Sequence, residues 1–495
     1  MIALALIAPA LAGEFMDVWV TTAFEDTNVL AGPSARSPSA NFVERGNQTF
    51  FEVYESRFSD DINQGMLVLY RKDEGFQPNW FTEAALVARM SPTVNPNDST
   101  PAMRIADDGS YVRAGYNFAG DPKHNLSLTG YAVDANRFRL GYSFDLTWGG
   151  RNIYAFDPNA APGVRLQYQN HGFYAFAGLK TAVGDYKDPT TAEPQEETYY
   201  GALFGAGSEL GDHVRVEAGL GSFEQGQLTN AASATSPIYL EPIQALGGCA
   251  QVAWRSTKDI DWIQTGELRL YRNSPDMVRD TYLKHQEVDG FGMLVQAEVN
   301  VLSHNLIDFE NVDSTVVETG VAGDFQTIFA FGRSQIAADV VYKDLPYIVF
   351  NVPGLTSGYA LPENYDVTSQ VYGRLSAAHH FPESRLTPSL GLGYMQAATY
   401  GTPETGYFVQ QNETDKYHVP DGQSPTALLS SVAGLTWDIS KSMVAQGELL
   451  YTLNNNLSVF QPTDDLQGAY VLAPGNERQG PSTGRERAGE RVADP

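Results

Sequence analysis

The stretch 136–148, NRFRLGYSFDLTW, alternates without a break. Phe138, Leu140, Tyr142, Phe144, Leu146 and Trp148 fall on one side of an extended chain, and Arg137, Arg139, Ser143 and Asp145 fall on the other. Successive side chains of a strand point to opposite faces, so period-2 alternation over this length predicts a strand rather than a helix. The pattern recurs along the chain. In SYVRAGYNF, Val112, Ala114, Tyr116 and Phe118 oppose Arg113 and Asn117; in HVRVEAGL, Val214, Ala218 and Leu220 oppose Arg215 and Glu217. WIQTGELRLY sets Leu268 and Leu270 against Glu267 and Arg269, MLVQAEVNV sets Val295, Ala297 and Val299 against Gln296, Glu298 and Asn300, and SMVAQGELLYTL sets Met443, Ala445, Leu449, Tyr451 and Leu453 against Gln446 and Glu448. About sixteen such segments lie between residues 109 and 454, with weaker ones near 15–25, 48–56, 65–71, 82–90 and 466–472. They are long: soluble strands average about 5 or 6 residues, whereas a tilted strand crossing a bilayer needs about 9 to 11.

The connections alternate in length. Short turns are predicted at Asp134-Ala135-Asn136, Asn170-His171-Gly172, 209–212, 381–384 and 440–442, and Asp107-Asp108-Gly109 reads as another tight turn. Long polar connections are predicted over 184–198, 223–240, 273–289 and 400–426. One break in this rhythm is expected: 303–316 is long where a short turn is due, and Gly332-Arg333-Ser334 is short where a long loop is due.

Composition sharpens the picture. Hydrophobic residues make up 42% of the 495 and charged residues only 18%, yet no run approaches the roughly 18 apolar residues of a membrane helix. A net charge of -27 excludes the basic footprint that nucleic-acid binding needs. The single cysteine, Cys249, excludes an intramolecular disulfide and reads as a small packed residue. The start, MIALALIAPALAGEF, is an apolar run closed by Ala10-Leu11-Ala12, so residues 1–12 read as a signal peptide cleaved before Gly13, without the usual leading Lys or Arg. A buried first strand is the alternative reading of the same run. Residues 474–495 carry Pro, Gly and charge with no apolar face and read as a disordered tail.

A soluble β-sandwich also alternates, but strand length, loop rhythm and aromatics near strand ends favour a membrane wall. Trp148, Tyr394, Trp437 and Tyr451 fit the interfacial belt where an apolar ring with a polar edge sits best. Backbone groups in lipid must be paired within the protein, which strands achieve only in a closed barrel. The expected fold is therefore all-β, a closed antiparallel transmembrane barrel of roughly 16–20 strands. Its interior would be lined by Arg113, Arg137, Arg139, Asp145, Arg165, Arg215, Glu217, Glu267, Arg269, Glu298, Asp339, Arg374 and Glu448. The pattern over residues 15–473 resembles the outer-membrane β-barrel proteins of Gram-negative bacteria, porin-like in size. That resemblance implies a bilayer and lipopolysaccharide as surroundings, the barrel assembly machinery as a partner, and possible periplasmic or envelope partners. Such barrels usually close with a strand ending in an aromatic residue, whereas this chain runs on to Pro495; LQGAYVL (466–472) or MVAQGELLYTL is the candidate closing strand.

Catalytic and metal-binding sets do not emerge. G-x-S-x-G is absent, and the pair His379-His380 would point to opposite faces of a strand, which prevents chelation of one ion. The sequence thus predicts no enzyme, no cofactor and no metal. It predicts a barrel over 13–473 that passes small hydrophilic solutes by passive diffusion, with 26–60 or 400–426 able to fold inward as a plug. A non-conducting barrel that anchors an envelope-spanning motility, adhesion or secretion complex is the alternative. What the opposed charges of the inner face meet, water or one another, separates the two.

Overall fold

The computed structural model describes residues 2–8, 16–26, 62–75, 77–94, 101–107, 109–133, 135, 138–143, 146, 148, 162–187, 194–228, 235–262, 287–350, 359–403, 406–410, 416–419, 424–440 and 443–453. Within them the strands are β1 (Ile2–Ala8), β2 (Asp17–Asp26), β3 (Ile62–Glu74), β4 (Trp80–Val94), β5 (Pro101–Asp107), β6 (Tyr111–Asn117), β7 (His124–Tyr131), β8 (Gly163–Asn170), β9 (Phe173–Lys187), β10 (Pro194–Leu210), β11 (Val214–Gln227) and β12 (Pro242–Arg255). They continue as β13 (Phe291–Ile307), β14 (Thr315–Phe331), β15 (Ser334–Lys343), β16 (Asp366–Val367), β17 (Gln370–His379), β18 (Leu386–Gln396), β19 (Ala398–Thr402), β20 (Gly406–Gln410), β21 (Lys416–Val419), β22 (Leu428–Ser440) and β23 (Met443–Leu453). One short helix, α1 (Leu345–Phe350), follows β15.

Nearly all of these strands join one 19-stranded antiparallel sheet, and β16, β19, β20 and β21 form a separate sheet of 4 strands. Pairing in the large sheet follows chain order from β1 to β18, then β22 and β23, and β23 pairs back onto β1, with Leu449 opposite Ile2 and Val444 opposite Ile7. Strands β5 and β6 share one wall position, because both pair with β4: Ala88 faces Asp107 and Ala85 faces Tyr111. Asp107 and Gly109, expected in a tight turn, therefore lie within one strand position, and Asp108 lies outside the described residues. There the Asp107 carboxylate accepts from the Gly109 and Ser110 amides at 3.2 and 3.3 Å, and the Ser110 hydroxyl accepts from Val87 N at 2.8 Å.

Residues 1–12 read in sequence as a signal, and the structure places Ile2–Ala8 between β23 and β2. Because β1 is antiparallel to both neighbours, β2 and β23 run parallel to each other on either side of it.

The two ends of the ring differ as the loop rhythm predicts. One end has tight connections at 171–172, 211–213 and 332–333. The other carries longer ones, including 132–162, 228–241, 344–369 and 397–427. The expected break at 303–316 is absent, since 308–314 lies at the long-loop end and 332–333 at the short-turn end. The real exception is 256–290, a long connection at the short-turn end. Strand β12 pairs directly with β13, Ala245 with His304 through Arg255 with Leu294, which leaves no wall position between them. Glu267 and Arg269, expected on a strand there, lie outside the described residues. So do 27–61, which hold nearly all of the expected plug at 26–60, together with the candidate closing strand 466–472 and the tail 474–495.

Burial along the wall is inverted relative to a soluble sheet. In β7, Asn125, Ser127 and Thr129 are buried while Leu126 and Leu128 are exposed. In β8, Arg165 is 2% exposed and Leu166 48%; in β11, Arg215 and Glu217 are buried and Leu220 is 62% exposed. The outer surface of the wall is thus apolar and continuous from strand to strand, and the polar positions face inward.

Candidate functional site

The interior begins with the stretch that alternates most clearly in sequence. Residues 136–148 were expected to form a wall strand with the apolar side toward lipid and Trp148 at the interface. Instead β7 pairs directly with β8, and the described residues 138–143, 146 and 148 lie inside the ring. Phe138, Leu140, Tyr142, Leu146 and Trp148 are all buried, Trp148 at 2% exposure. Of the turn expected at 134–136, Ala135 is buried, and Asp134 and Asn136 lie outside the described residues. Alternation allowed a strand, but the apolar side found a protein surface, and packing decided the outcome.

The segment doubles back on itself: Leu140 N donates to Trp148 O at 2.8 Å and Trp148 N to Leu140 O at 3.0 Å. Its side chains sit in bays made by glycines of the inner wall, where a β-carbon would collide with them. A Cβ on Gly178 of β9 would come within 2.4 Å of Phe138, on Gly219 of β11 within 2.8 Å of Leu140, and on Gly247 of β12 within 2.0 Å of Trp148. The Phe138 ring also stacks on Tyr131 at 6.3 Å, and Trp148 meets Phe223 edge-on at 4.8 Å.

Polar groups clamp its backbone. Glu298 of β13 accepts from Tyr142 N at 2.9 Å and from Ser143 N, and Gln251 of β12 donates to the same carboxylate at 2.9 Å. The Ser143 hydroxyl donates to Asp324 of β14 and accepts from Gln326 at 3.1 Å. Lys180 of β9 donates to Phe138 O at 2.8 Å and Ala135 O at 3.1 Å. Leu146 O accepts from Asn300 and, at 2.6 Å, from the Tyr347 hydroxyl of α1. Asp344 caps that helix, its carboxylate accepting from Tyr347 N at 2.9 Å and Val321 N at 2.8 Å.

The expected pore-lining residues divide accordingly. Arg113, Arg139, Arg165, Arg215, Glu217, Glu298 and Asp339 are buried, and Arg374 is half-buried. Arg113 lies 3.7 Å from Glu83 and 5.4 Å from the centre of the Phe81 ring. Arg165 stands 5.9 Å from the centre of the Phe176 ring. Glu217 accepts from the Tyr174 hydroxyl at 2.8 Å. Arg215 pairs with Glu209 at 2.9 Å, and its guanidinium covers Trp262 at 4.7 Å from the ring centre. Arg255 covers the same ring at 4.3 Å. Trp262 belongs to the long short-end connection, whose Ile260, Trp262 and Val288 pack onto Ala253, Leu294 and Ala330. Arg137 and Asp145 lie outside the described residues, as does the side chain of Glu448. Of the expected interfacial aromatics, Tyr394, Trp437 and Tyr451 are exposed on the wall, and Trp148 is not.

Sequence reasoning missed Lys180, Asp324, Gln251 and Tyr347, and placed Asn300 on the polar face of its strand without a role. The signal available for them was the run of inward glycines at 178, 219 and 247, since a strand interior loses stability at glycine unless something approaches closely. No group of three or more metal-ligating side chains occurs among the described residues. His379 and His380 meet separate partners, Ser334 and Thr387.

No family model matches the chain, and no curated protein does. Among solved structures it is similar to Salmonella typhi OmpF in complex with daunomycin, at TM-score 0.39 and 8% identity over 92% of this chain and 97% of that one. It is similar also to the outer membrane protein OpdK of Pseudomonas aeruginosa, at TM-score 0.34 and 8% identity over 92% and 99%. A third similarity is to OmpT, an outer membrane protein of Vibrio cholerae, at TM-score 0.35 and 9% identity over 92% and 95%. The likeness is thus to bacterial outer-membrane proteins, and at these TM-scores it carries nothing about solute or activity.

Proposed function

We propose that the chain is a porin-like channel of a Gram-negative outer membrane: a closed transmembrane β-barrel whose narrowed lumen passes small hydrophilic solutes by passive diffusion. The observation that carries this reading is the inversion of the two faces. Burying Arg165 and Lys180 while Leu128, Leu166, Leu220 and Leu392 lie 48% to 62% exposed is a costly arrangement in water. Each exposed leucine forgoes about 1–2 kcal/mol of burial, and soluble monomers rarely expose apolar patches beyond a few hundred Å². In a bilayer the same surface is solvated by acyl chains, and the ring of pairings leaves no open edge to meet lipid. The lipid bilayer, lipopolysaccharide and the assembly machinery are the surroundings this reading supplies, and no catalytic role is assigned.

Purified protein in a planar bilayer is expected to give discrete, stable conductance steps. Silence at every voltage would sink the channel. Heat modifiability on a gel tests the barrel separately, because a folded barrel migrates differently before and after boiling.

One observation favours the second reading, a non-conducting anchor for an envelope-spanning assembly. A single apolar cluster inside the ring reaches from Val68 on β3 and Val87 on β4 through Trp148 to Tyr372 on β17, Met395 on β18 and Leu428 on β22. Electrical silence together with a copurifying periplasmic partner would select that reading.

A further inference from the structure

Resting on the channel reading, we propose that at the short-turn end the solute path runs off-centre, along the inner faces of β15, β17, β18 and β22, and that Arg374 sets its preference for anionic solutes. The inner faces of β7 to β14 are covered: their inward residues are buried under the 138–148 segment, under α1 or under Ile260, Trp262 and Val288. On the opposite side the inward positions are short and half-open toward the short-turn end, whereas Val341, Tyr372, Met395, Leu428 and Val432, nearer the long loops, are buried. Going toward the short-turn end, Arg374, Ser376 and Ala378 of β17 are half-buried, Ser389 of β18 is exposed, and Gly434 and Thr436 of β22 are half-buried. The register places these residues on one face, with Ala378 opposite Ser389 and Ser389 opposite Gly434. The other face of the same strands carries Leu375, Leu390, Leu392 and Leu435, all exposed toward the outer surface.

Arg374 stands at the inner limit of this surface. Its guanidinium passes over Gly391, whose added β-carbon would lie 3.7 Å from Arg374 Nε, and it makes no hydrogen bond or ion pair with another described residue. Buried basic groups elsewhere on the inner wall are engaged by contrast: Arg113 with Glu83, Arg215 with Glu209, and Lys180 with two carbonyls. A free guanidinium presents a planar fork of donors that matches a carboxylate or phosphate, and charge on a narrow wall sorts permeating ions. Asp339 stands opposite Arg374 in register but is buried, so the positive group is the one presented to the lumen.

The test uses Arg374→Cys and Arg165→Cys, each in a Cys249→Ser background and each checked for heat modifiability, with a membrane-impermeant methanethiosulfonate as probe. Cysteine at 374 is expected to label in the folded barrel at least tenfold faster than cysteine at 165. Should the residue 374 variant fail to fold, Ser376→Cys reads the same surface. Equal labelling, or protection at 374 and 376, would overturn the off-centre path. In bilayers, Arg374→Gln is expected to lower the chloride-to-potassium permeability ratio several-fold and Arg374→Glu to lower it further; an unchanged reversal potential would overturn the role of Arg374. Fast labelling in a protein that never conducts would refute the channel reading while leaving the open inner surface standing.

Discussion

The wall from β7 to β14 and the wall from β15 to β22 use the same alternation, yet enclose different interiors. The first buries arginines, carboxylates and amides beneath the 138–148 segment, with glycine bays that admit aromatic rings to the backbone. The second buries Val341, Tyr372, Met395 and Leu428 near the long loops and, toward the short-turn end, presents serine, threonine, glycine and one arginine with no partner among the described residues to a half-open space. Alternation alone therefore decides which side of a strand faces inward, and side-chain size decides whether that side is filled. A buried charge is tolerated where backbone donors and acceptors satisfy it, which is how Glu298 and Lys180 serve the covered half.

Removing the difference should have the largest effect. Replacing residues 138–148 by a short Gly-Ser link uncovers the filled half, and single-channel conductance is expected to rise several-fold while the barrel still shows heat modifiability. Unchanged conductance in a folded variant would mean that the segment does not narrow the lumen. Glu298→Ala is the milder form of the same break. It removes the acceptor for two backbone amides and leaves them buried, a cost of about 1–3 kcal/mol each when unsatisfied. Limited proteolysis near residue 143 should accelerate, and a digestion pattern like that of the parent would exclude a clamping role.

Two glycine substitutions sharpen the contrast without touching charge. In Gly247→Ala the new methyl group meets Trp148 at 2.0 Å, so either the ring or the strand must shift. Overpacking of this kind costs about 1–3 kcal/mol. Gly391→Ala in the open half meets nothing closer than 3.7 Å and should leave stability within about 0.5 kcal/mol of the parent. Urea titration of the refolded barrel measures both, and equal effects would erase the proposed difference between the halves.

Much of the wall was legible in the sequence because period 2 is a local property. Val112 against Arg113, Leu220 against Glu217 and Val299 against Glu298 all fall on the sides the pattern assigns. The segment 136–148 shows the limit of that logic. Its alternation is as regular as any, and only the direct pairing of β7 with β8 reveals that it is not wall. Pairing is a long-range property, and so is the use of Gly178, Gly219 and Gly247 as bays. Ile2–Ala8 poses a related ambiguity, since an apolar run without alternation suits a secretory signal and a wall strand alike. An N-terminus found at Gly13 in the purified protein would require another strand to join β2 to β23.

The most local effect tests how the covered half is tied to the long-loop end. Asp344 caps α1, which carries Tyr347 to the carbonyl of Leu146, so the cap acts on the inward segment through one helix turn. Burial raises the Asp344 carboxyl above its ordinary range, against the opposing effect of the two amides it accepts from. With the folded-state value raised, the native protein holds this proton more tightly than the unfolded chain. The contribution of the site therefore falls as pH rises from the unfolded value through the folded one. Asp344→Ala loses the cap, at a cost of about 1 kcal/mol, and also loses this local pH dependence. Hydrogen exchange of the Tyr347 amide, followed from below the ordinary carboxylate range up to neutrality, reads both. In the parent, protection should weaken as the carboxyl ionises, and in the variant it should be lower and flat. A parent profile that strengthens with pH would show that the two amide bonds outweigh burial at this carboxylate.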